Sequence, residues 1–287
     1  MISNVFLTLT RSMASGSRIL EIIDEEVDIT DREAEDYDVK CGEIEFDHVY
    51  FRYRKDAPED VLTDISLTIS AGSTFGIIGQ TGSAKSTLIQ LIPRLYDATR
   101  GEVRIDGIPV RKYPMEHLRD AIAVVLQKNT LFSGTLLENL RWGKEDAAME
   151  EIKKACRIAC ADEFIDRLAD GYETEMGQGG VNVSGGQKQR ICIARAILKQ
   201  PKVLILDDST SAVDTATEAR IRTMLKEELP EMTKIIIAQR ISSVRHADQI
   251  LILDDGRVSD IGTHEELLAR NKIYQEIYES QKEGAEL

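Results

Sequence analysis

The stretch GQTGSAKSTL, residues 79–88, sets Gly79 and Gly82 ahead of Lys85, Ser86 and Thr87. A turn of that composition opening a helix presents successive backbone N–H groups that can surround phosphate oxygens. The lysine then reaches the outer phosphates, and the Ser86 hydroxyl can ligate Mg²⁺. Gln80, Thr81, Ser83 and Ala84 complete the loop, and Ala84 occupies the second glycine position of the pattern G-x-x-x-x-G-K-[ST]. Its methyl group is expected to hinder close approach to phosphate unless the local φ is negative. Alone, the stretch also fits an ordinary tight turn before a helix.

Two further groups could act on a phosphate. KVLILDD, residues 202–208, is an apolar run ending in Asp207 and Asp208. A carboxylate at the C-terminal end of a buried parallel strand faces the crevice where α/β folds bind ligands, so Asp207 can reach a metal ion through water. In VNVSGGQKQR, residues 181–190, Ser184 can cap a helix that begins Gly185, Gly186, Gln187. The charges that follow, at Lys188, Gln189 and Arg190, read as a solvated helix face.

Elements with the right periodicity surround these groups. GEIEFDHVYFRY and VLTDISLTIS alternate apolar and polar residues, predicting antiparallel strands at the start of a domain. STFGIIG is a short apolar strand running into the glycine-rich loop. The spacing of Leu88, Leu91, Ile92 and Leu95 predicts a helix over 85–95. A helix-rich stretch from about 129 to 199 follows. The pattern then returns to strand (KVLILD), helix (215–228), strand (KIIIA), short helix and strand (QILILDD), which predicts an α/β layer on a mainly parallel sheet. Residues 1–23 have helical spacing of Val5, Phe6, Leu9, Met13, Ile19, Leu20 and Ile23, and the acidic stretch 24–42 reads as a solvated linker. Residues 43–283 form the remaining domain.

Composition narrows the function classes. The chain has 287 residues, 50 acidic against 36 basic, for a formal charge of -14, with no basic cluster. No nucleic-acid partner is expected, because sequence-independent binding to a polyanion requires positive charge. The four cysteines, Cys41, Cys156, Cys160 and Cys192, lie in no CxxC pattern and read as reduced thiols of a cytosolic chain. No apolar run approaches the roughly 20 residues needed to span a bilayer. The opening MISNVFLTLTRSM also lacks a signal-peptide cleavage site, so the chain as given is expected to be soluble.

The segment around Ser184 closely resembles the LSGGQ signature of ATP-binding cassette (ABC) proteins, with Val183 in place of leucine. The resemblance extends from about Glu43 to the C-terminus and implies a P-loop NTPase (ABC ATPase) core with an N-terminal antiparallel β subdomain and a helical insertion. It implies ATP and Mg²⁺ as cofactors. Tyr53 falls where the family has an aromatic that stacks on adenine, and Gln127 in VVLQ matches the glutamine that approaches Mg²⁺ and the attacking water. Together with Ser86 and Asp207, Gln127 makes up the implied metal set. STSAVD, ending in Asp214, matches the loop that communicates across an ABC dimer. TEMGQGG, residues 174–180, is similar to the loop before the signature in exporters, with Gln178 and Gly179 replacing a Glu-Arg pair.

The chain departs from the family at two catalytic positions. Asp208 stands where a glutamate usually serves as general base, and Gln239 in IIIAQR where a histidine contacts the γ-phosphate. Glutamine can hydrogen-bond but cannot become a cation. A site so altered is expected to bind ATP and hydrolyse it slowly, while Ser184, Gly185, Gly186 and Gln187 act on a partner's nucleotide. That pattern resembles the degenerate-site subunit of a heterodimeric multidrug-type exporter. RSMASGSRILEIID resembles the cytoplasmic end of the last transmembrane helix of such a half-transporter. The implied partners are a transmembrane domain and a second nucleotide-binding domain, at the cytoplasmic face of a membrane. Two other readings stay open at this point: a homodimeric exporter ATPase in which Asp208 suffices, and a soluble, non-transporting ABC regulatory protein.

Overall fold

The computed structural model of the chain describes residues 2–25, 27–54, 56–208 and 213–283. In chain order the strands are β1 Ile44–Phe51, β2 Leu62–Ile69, β3 Thr74–Ile78, β4 Arg100–Ile105, β5 Ile108–Pro109, β6 Ile122–Val125, β7 Gly134–Thr135, β8 Glu175–Met176, β9 Val203–Asp207, β10 Thr233–Ile237, β11 Gln249–Asp254 and β12 Arg257–Gly262. The helices are α1 Ile2–Ile23, α2 Lys85–Gln90, α3 Met115–Asp120, α4 Leu136–Arg141, α5 Met149–Ile158, α6 Asp162–Ile165, α7 Gly185–Leu198, α8 Thr215–Glu228, α9 Ile241–Val244, α10 His264–Arg270 and α11 Lys272–Glu283.

The central sheet has the order β12-β11-β3-β10-β9-β6, parallel throughout except for β12. Its parallel strands read as nearly continuous apolar runs because both faces are covered, whereas the edge strand β12 is polar and partly exposed. Leu204 and Leu206 of β9 pack into one hydrophobic cluster with α5, α7 and α8. Val203 and Ile205, one residue out of phase, pack into the other with α2 and the antiparallel strands. That second layer is the sheet β2-β1-β4-β5, antiparallel as the alternation predicts.

The strand order decides what meets at the C-terminal edge. The loop after β3, Gln239 after β10, Asp207 and Asp208 at the end of β9, and Gln127 just past β6 line up along one rim. Four segments far apart in sequence become neighbours at the position where open α/β sheets bind ligands.

Two expectations require correction. The helix predicted over 85–95 ends at Gln90, and Leu95 is 47% exposed instead of sharing the buried face. Leu91 and Ile92 already bond only three residues back, to Leu88 and Ile89, and Pro93 then has no N–H to continue the ladder. Gln189 and Arg190 are not a solvated face. Gln189 is buried, and Arg190 lies over the Phe164 ring and donates to the Cys160 carbonyl at 2.8 Å. α7 packs against α4, α5 and β6, so its polar positions are enclosed and find partners inside. The acidic stretch, largely exposed, is nevertheless anchored. The Asp106 carboxylate accepts the backbone N–H groups of Lys40, Cys41, Gly42 and Glu43 at 2.7–3.0 Å, and Tyr37 packs edge-on against Tyr113.

α1 has its apolar residues uncovered, with Val5, Phe6, Leu9, Met13, Ile19, Leu20 and Ile23 all at least 56% exposed. Among the described residues, no helix is long and apolar enough to cross a membrane.

Candidate nucleotide site

The loop between β3 and α2 takes its shape from its small residues. At Gly79 a Cβ would come within 2.2 Å of the Leu253 carbonyl oxygen, so only glycine lets the strand end pass so close to β11. Gly82 has φ +89°, in the region that favours glycine. Ala84, just before the helix, has φ 70° and ψ 21°, so the condition under which its methyl group would be unstrained is not met. The methyl group packs on the core beneath the loop, which offsets part of that cost. Ala84→Gly should therefore stabilise the fold by about 1 kcal/mol, a rise in melting temperature of about 2–4 °C for a domain of this size. A thermal melt without nucleotide reads this directly, and an unchanged or lower midpoint would contradict backbone strain at Ala84.

Lys85 folds its ammonium into the loop, donating to the carbonyls of Gly79 and Gln80, both at 2.7 Å, and to Ser83 Oγ at 3.2 Å. Burial holds its pKa below the usual lysine range, with Asp207 and Asp208 opposing that shift. Ser86 Oγ donates to Asp207 Oδ2 at 3.2 Å. The hydroxyls of Thr87 and Tyr53 lie 2.9 Å apart, and the Tyr53 ring, half exposed, stands edge-on to Phe51 and Tyr96.

The Asp208 carboxylate is gripped from both neighbouring strands. Gln127 Nε2 donates to its Oδ2 at 3.1 Å and Gln239 Nε2 donates to the same atom at 3.0 Å. Its own backbone has φ 45° and its N–H donates to the Ile237 carbonyl. Burial pushes the pKa of both aspartates up. For Asp208 the charge of Asp207 adds to that rise, while Gln127, Arg240 and Lys85 oppose it. The rim thus carries two partly desolvated carboxylates whose charged forms a nearby cation would favour. Ser86 Oγ and Asp207 are hard oxygen donors within hydrogen-bond distance of each other, a pair that suits Mg²⁺ completed by phosphate oxygens and water. Gln127 points to Asp208, one strand further along the rim.

The segment Ser184–Gln187 is built as a capping box. Ser184 Oγ accepts the Gln187 N–H at 3.2 Å, and Gln187 Oε1 accepts the Ser184 N–H at 2.9 Å. Ser184 and Gly185 are exposed at the N-terminus of the fourteen-residue α7, where backbone N–H groups face outward. Lys188 Nζ donates to the Gly179 carbonyl at 2.6 Å, fixing the preceding loop. Asp214 caps α8 by accepting the Thr217 N–H at 2.9 Å, while Ser209–Ala212 of the same motif lie outside the described residues.

Two groups escape a reading of the sequence. Arg240 lies close enough to act electrostatically on Asp208. Gln281, on α11, touches the backbone on both sides of Arg240.

The sequence and the fold are similar to those of known proteins. The ABC transporter family model matches residues 62–211. An uncharacterized ABC transporter ATP-binding protein of Bacillus subtilis, YfiB, is 46% identical over 98% of this chain and 49% of its own length. An ATP-dependent lipid A-core flippase of Legionella pneumophila is 44% identical over 85% of this chain and 41% of its own length. The solved structure of a bacterial Atm1-family ABC exporter with ATP bound superposes with a TM-score of 0.88 at 35% identity, covering 98% of this chain and 49% of that one. The chain spans about half the length of the curated relatives it matches.

Proposed function

The chain belongs to the ABC transporter family, and we propose that it is the ATP-binding part of an exporter half-transporter with a slow site of its own. In this reading Gly79–Thr87 hold the phosphates of ATP, Tyr53 receives the adenine ring, and Ser86, Asp207 and Gln127 face Mg²⁺. When bound, that ion supplies charge neutralisation between the outer phosphates. Lys85 exchanges the loop carbonyls for phosphate oxygens, a stronger charge-assisted contact.

The observation that carries the slow-site reading is the grip on Asp208. Gln127 and Gln239 both donate to Oδ2 and so aim a carboxylate one methylene shorter than glutamate, which leaves Oδ1 to take a proton from water but holds it short of it. Gln239 cannot carry the positive charge that would favour developing charge on the γ-phosphate. ATP is then held longer than it is cut.

The outward-facing capping box supports a role in trans, in which Ser184–Gln187 close over a nucleotide bound by a second ATP-binding domain. The exposed apolar residues of α1 support a junction with a membrane-spanning part, with closure of the two ATPase domains passed along that helix. The flippase relative is named for a lipid A-core, and in this reading the choice of transported molecule falls to that membrane part.

The test is to assemble the full-length protein with a companion half-transporter that carries Glu and His at the positions of Asp208 and Gln239. The expected result is brisk turnover by the pair that falls at least 10-fold with Gly185→Asp in this chain, which puts a carboxylate against the companion's ATP. Unchanged turnover with that variant would contradict the role in trans.

A further inference from the structure

We infer that Gln281, on the C-terminal helix α11, is a positioning residue for the Asp208–Gln239 site. α9 begins directly after Arg240, and its N-cap side chain makes no capping hydrogen bond. The first N–H groups of a helix have no partner within it and need one from elsewhere. Here the partner comes from 40 residues away: Gln281 Oε1 accepts the Ile241 N–H at 2.9 Å. The same amide turns its other end to the loop, and Gln281 Nε2 donates to the Gln239 carbonyl at 2.7 Å. One side chain thus spans both sides of Arg240 and fixes the backbone from which the Gln239 side chain reaches Asp208.

The contact has a rigid base. α11 is anchored by Tyr274, which is fully buried and hydrogen-bonded to His264 Nδ1 at 2.7 Å, and α11 packs on α9. Gln281 sits two turns further along that helix, half exposed at the edge of the site. The chain of contacts runs from α11 through Gln281 to the Gln239 backbone, the Gln239 amide and the Asp208 carboxylate, which Gln127 grips from the other side. Glutamine suits the position because it alone among side chains of this length, apart from a protonated glutamate, offers a donor and an acceptor together. Whatever moves the end of α11 in an assembled transporter therefore changes the aim of the group that holds Asp208.

The inference rests on the reading of Asp208 and Gln239 as the groups that face the γ-phosphate. Its test is a double-mutant cycle on the full chain, with hydrolysis of bound ATP followed in single turnover at excess protein, for wild type, Gln281→Ala, Gln239→Ala and the pair. A positioning residue predicts that Gln281→Ala lowers the rate by about 5- to 10-fold when Gln239 is present and by less than 2-fold when it is absent, with ATP affinity unchanged in both. Amide exchange at Ile241 should accelerate in Gln281→Ala, and the conservative Gln281→Glu, which keeps the acceptor, should slow it again while leaving the rate low.

An equal loss in both Gln239 backgrounds, or none in either, would overturn the inference. If hydrolysis is undetectable, the same cycle is run with Asp208→Glu added, and no hydrolysis there either also overturns it. Fast turnover by the wild type would sink the slow-site reading and leave the coupling between Gln281 and Gln239 as measurable as before, so the two fail separately.

Discussion

Replacing Asp208 by Glu and Gln239 by His in the same chain is expected to raise ATP hydrolysis at its own site by about 100-fold, since misplacement of a catalytic group by about 1 Å costs on that order. On the slow-site reading, the geometry around Asp208 calls for both substitutions together. Gln127 and Gln239 converge on one oxygen of Asp208 from the strands on either side, at distances already ideal for the shorter side chain. Asp208→Glu alone extends the carboxylate past donors that stay where they are, so the gain from reach is partly lost to a poorer hold. Gln239→His removes one of those donors and replaces it with a ring that can take up a proton near the γ-phosphate. The single variants are expected to gain less than 10-fold each. A steady-state ATPase assay decides the matter, and a double variant no faster than wild type would favour the reading in which Asp208 suffices.

Lys85→Ala should weaken ATP binding by roughly 100-fold, the scale set by the 2–5 kcal/mol lost when one partner of a buried charge pair is removed. The loss should come without a loss of fold. The Lys85 ammonium is partly buried and donates to two loop carbonyls and one hydroxyl, and burial depresses its pKa. A group held that way adds little to folding, so Lys85→Ala is expected to melt no lower than wild type while binding ATP poorly. Calorimetric titration and a thermal melt on the same preparation separate the two effects. A variant that binds as well as wild type would remove Lys85 from the site.

Much of the site was legible because its parts sit at the ends of strands. A run such as KVLILDD can be apolar throughout only if both faces are covered, and its carboxylates then fall at the rim. The order in which such strands assemble cannot be read from any one of them, yet that order puts Gln239 and Gln127 on either side of Asp208. Ser184 was legible as a cap because its bond to the Gln187 N–H is local, while the return bond from the Gln187 side chain appears only in the structure.

The rest depends on how distant segments pack. The backbone angle at Ala84 depends on how α2 joins the core. The burial of Gln189 and the partial burial of Arg190 arise because α7 is packed by several neighbours, which a two-sided pattern of polar and apolar residues does not anticipate. Gln281 binds backbone 40 and 42 residues away, through atoms every residue possesses, and leaves no trace in the sequence. The end of α2 was within reach, since Pro93 announces it.

The function proposed for this chain depends on its site keeping ATP intact. The most direct measurement is to load the purified chain with ATP and Mg²⁺, remove free nucleotide, and identify the nucleotide that remains bound over minutes to hours. A slow site predicts that it stays ATP for many times longer than in the Asp208→Glu, Gln239→His double variant. Conversion to ADP within seconds would contradict it.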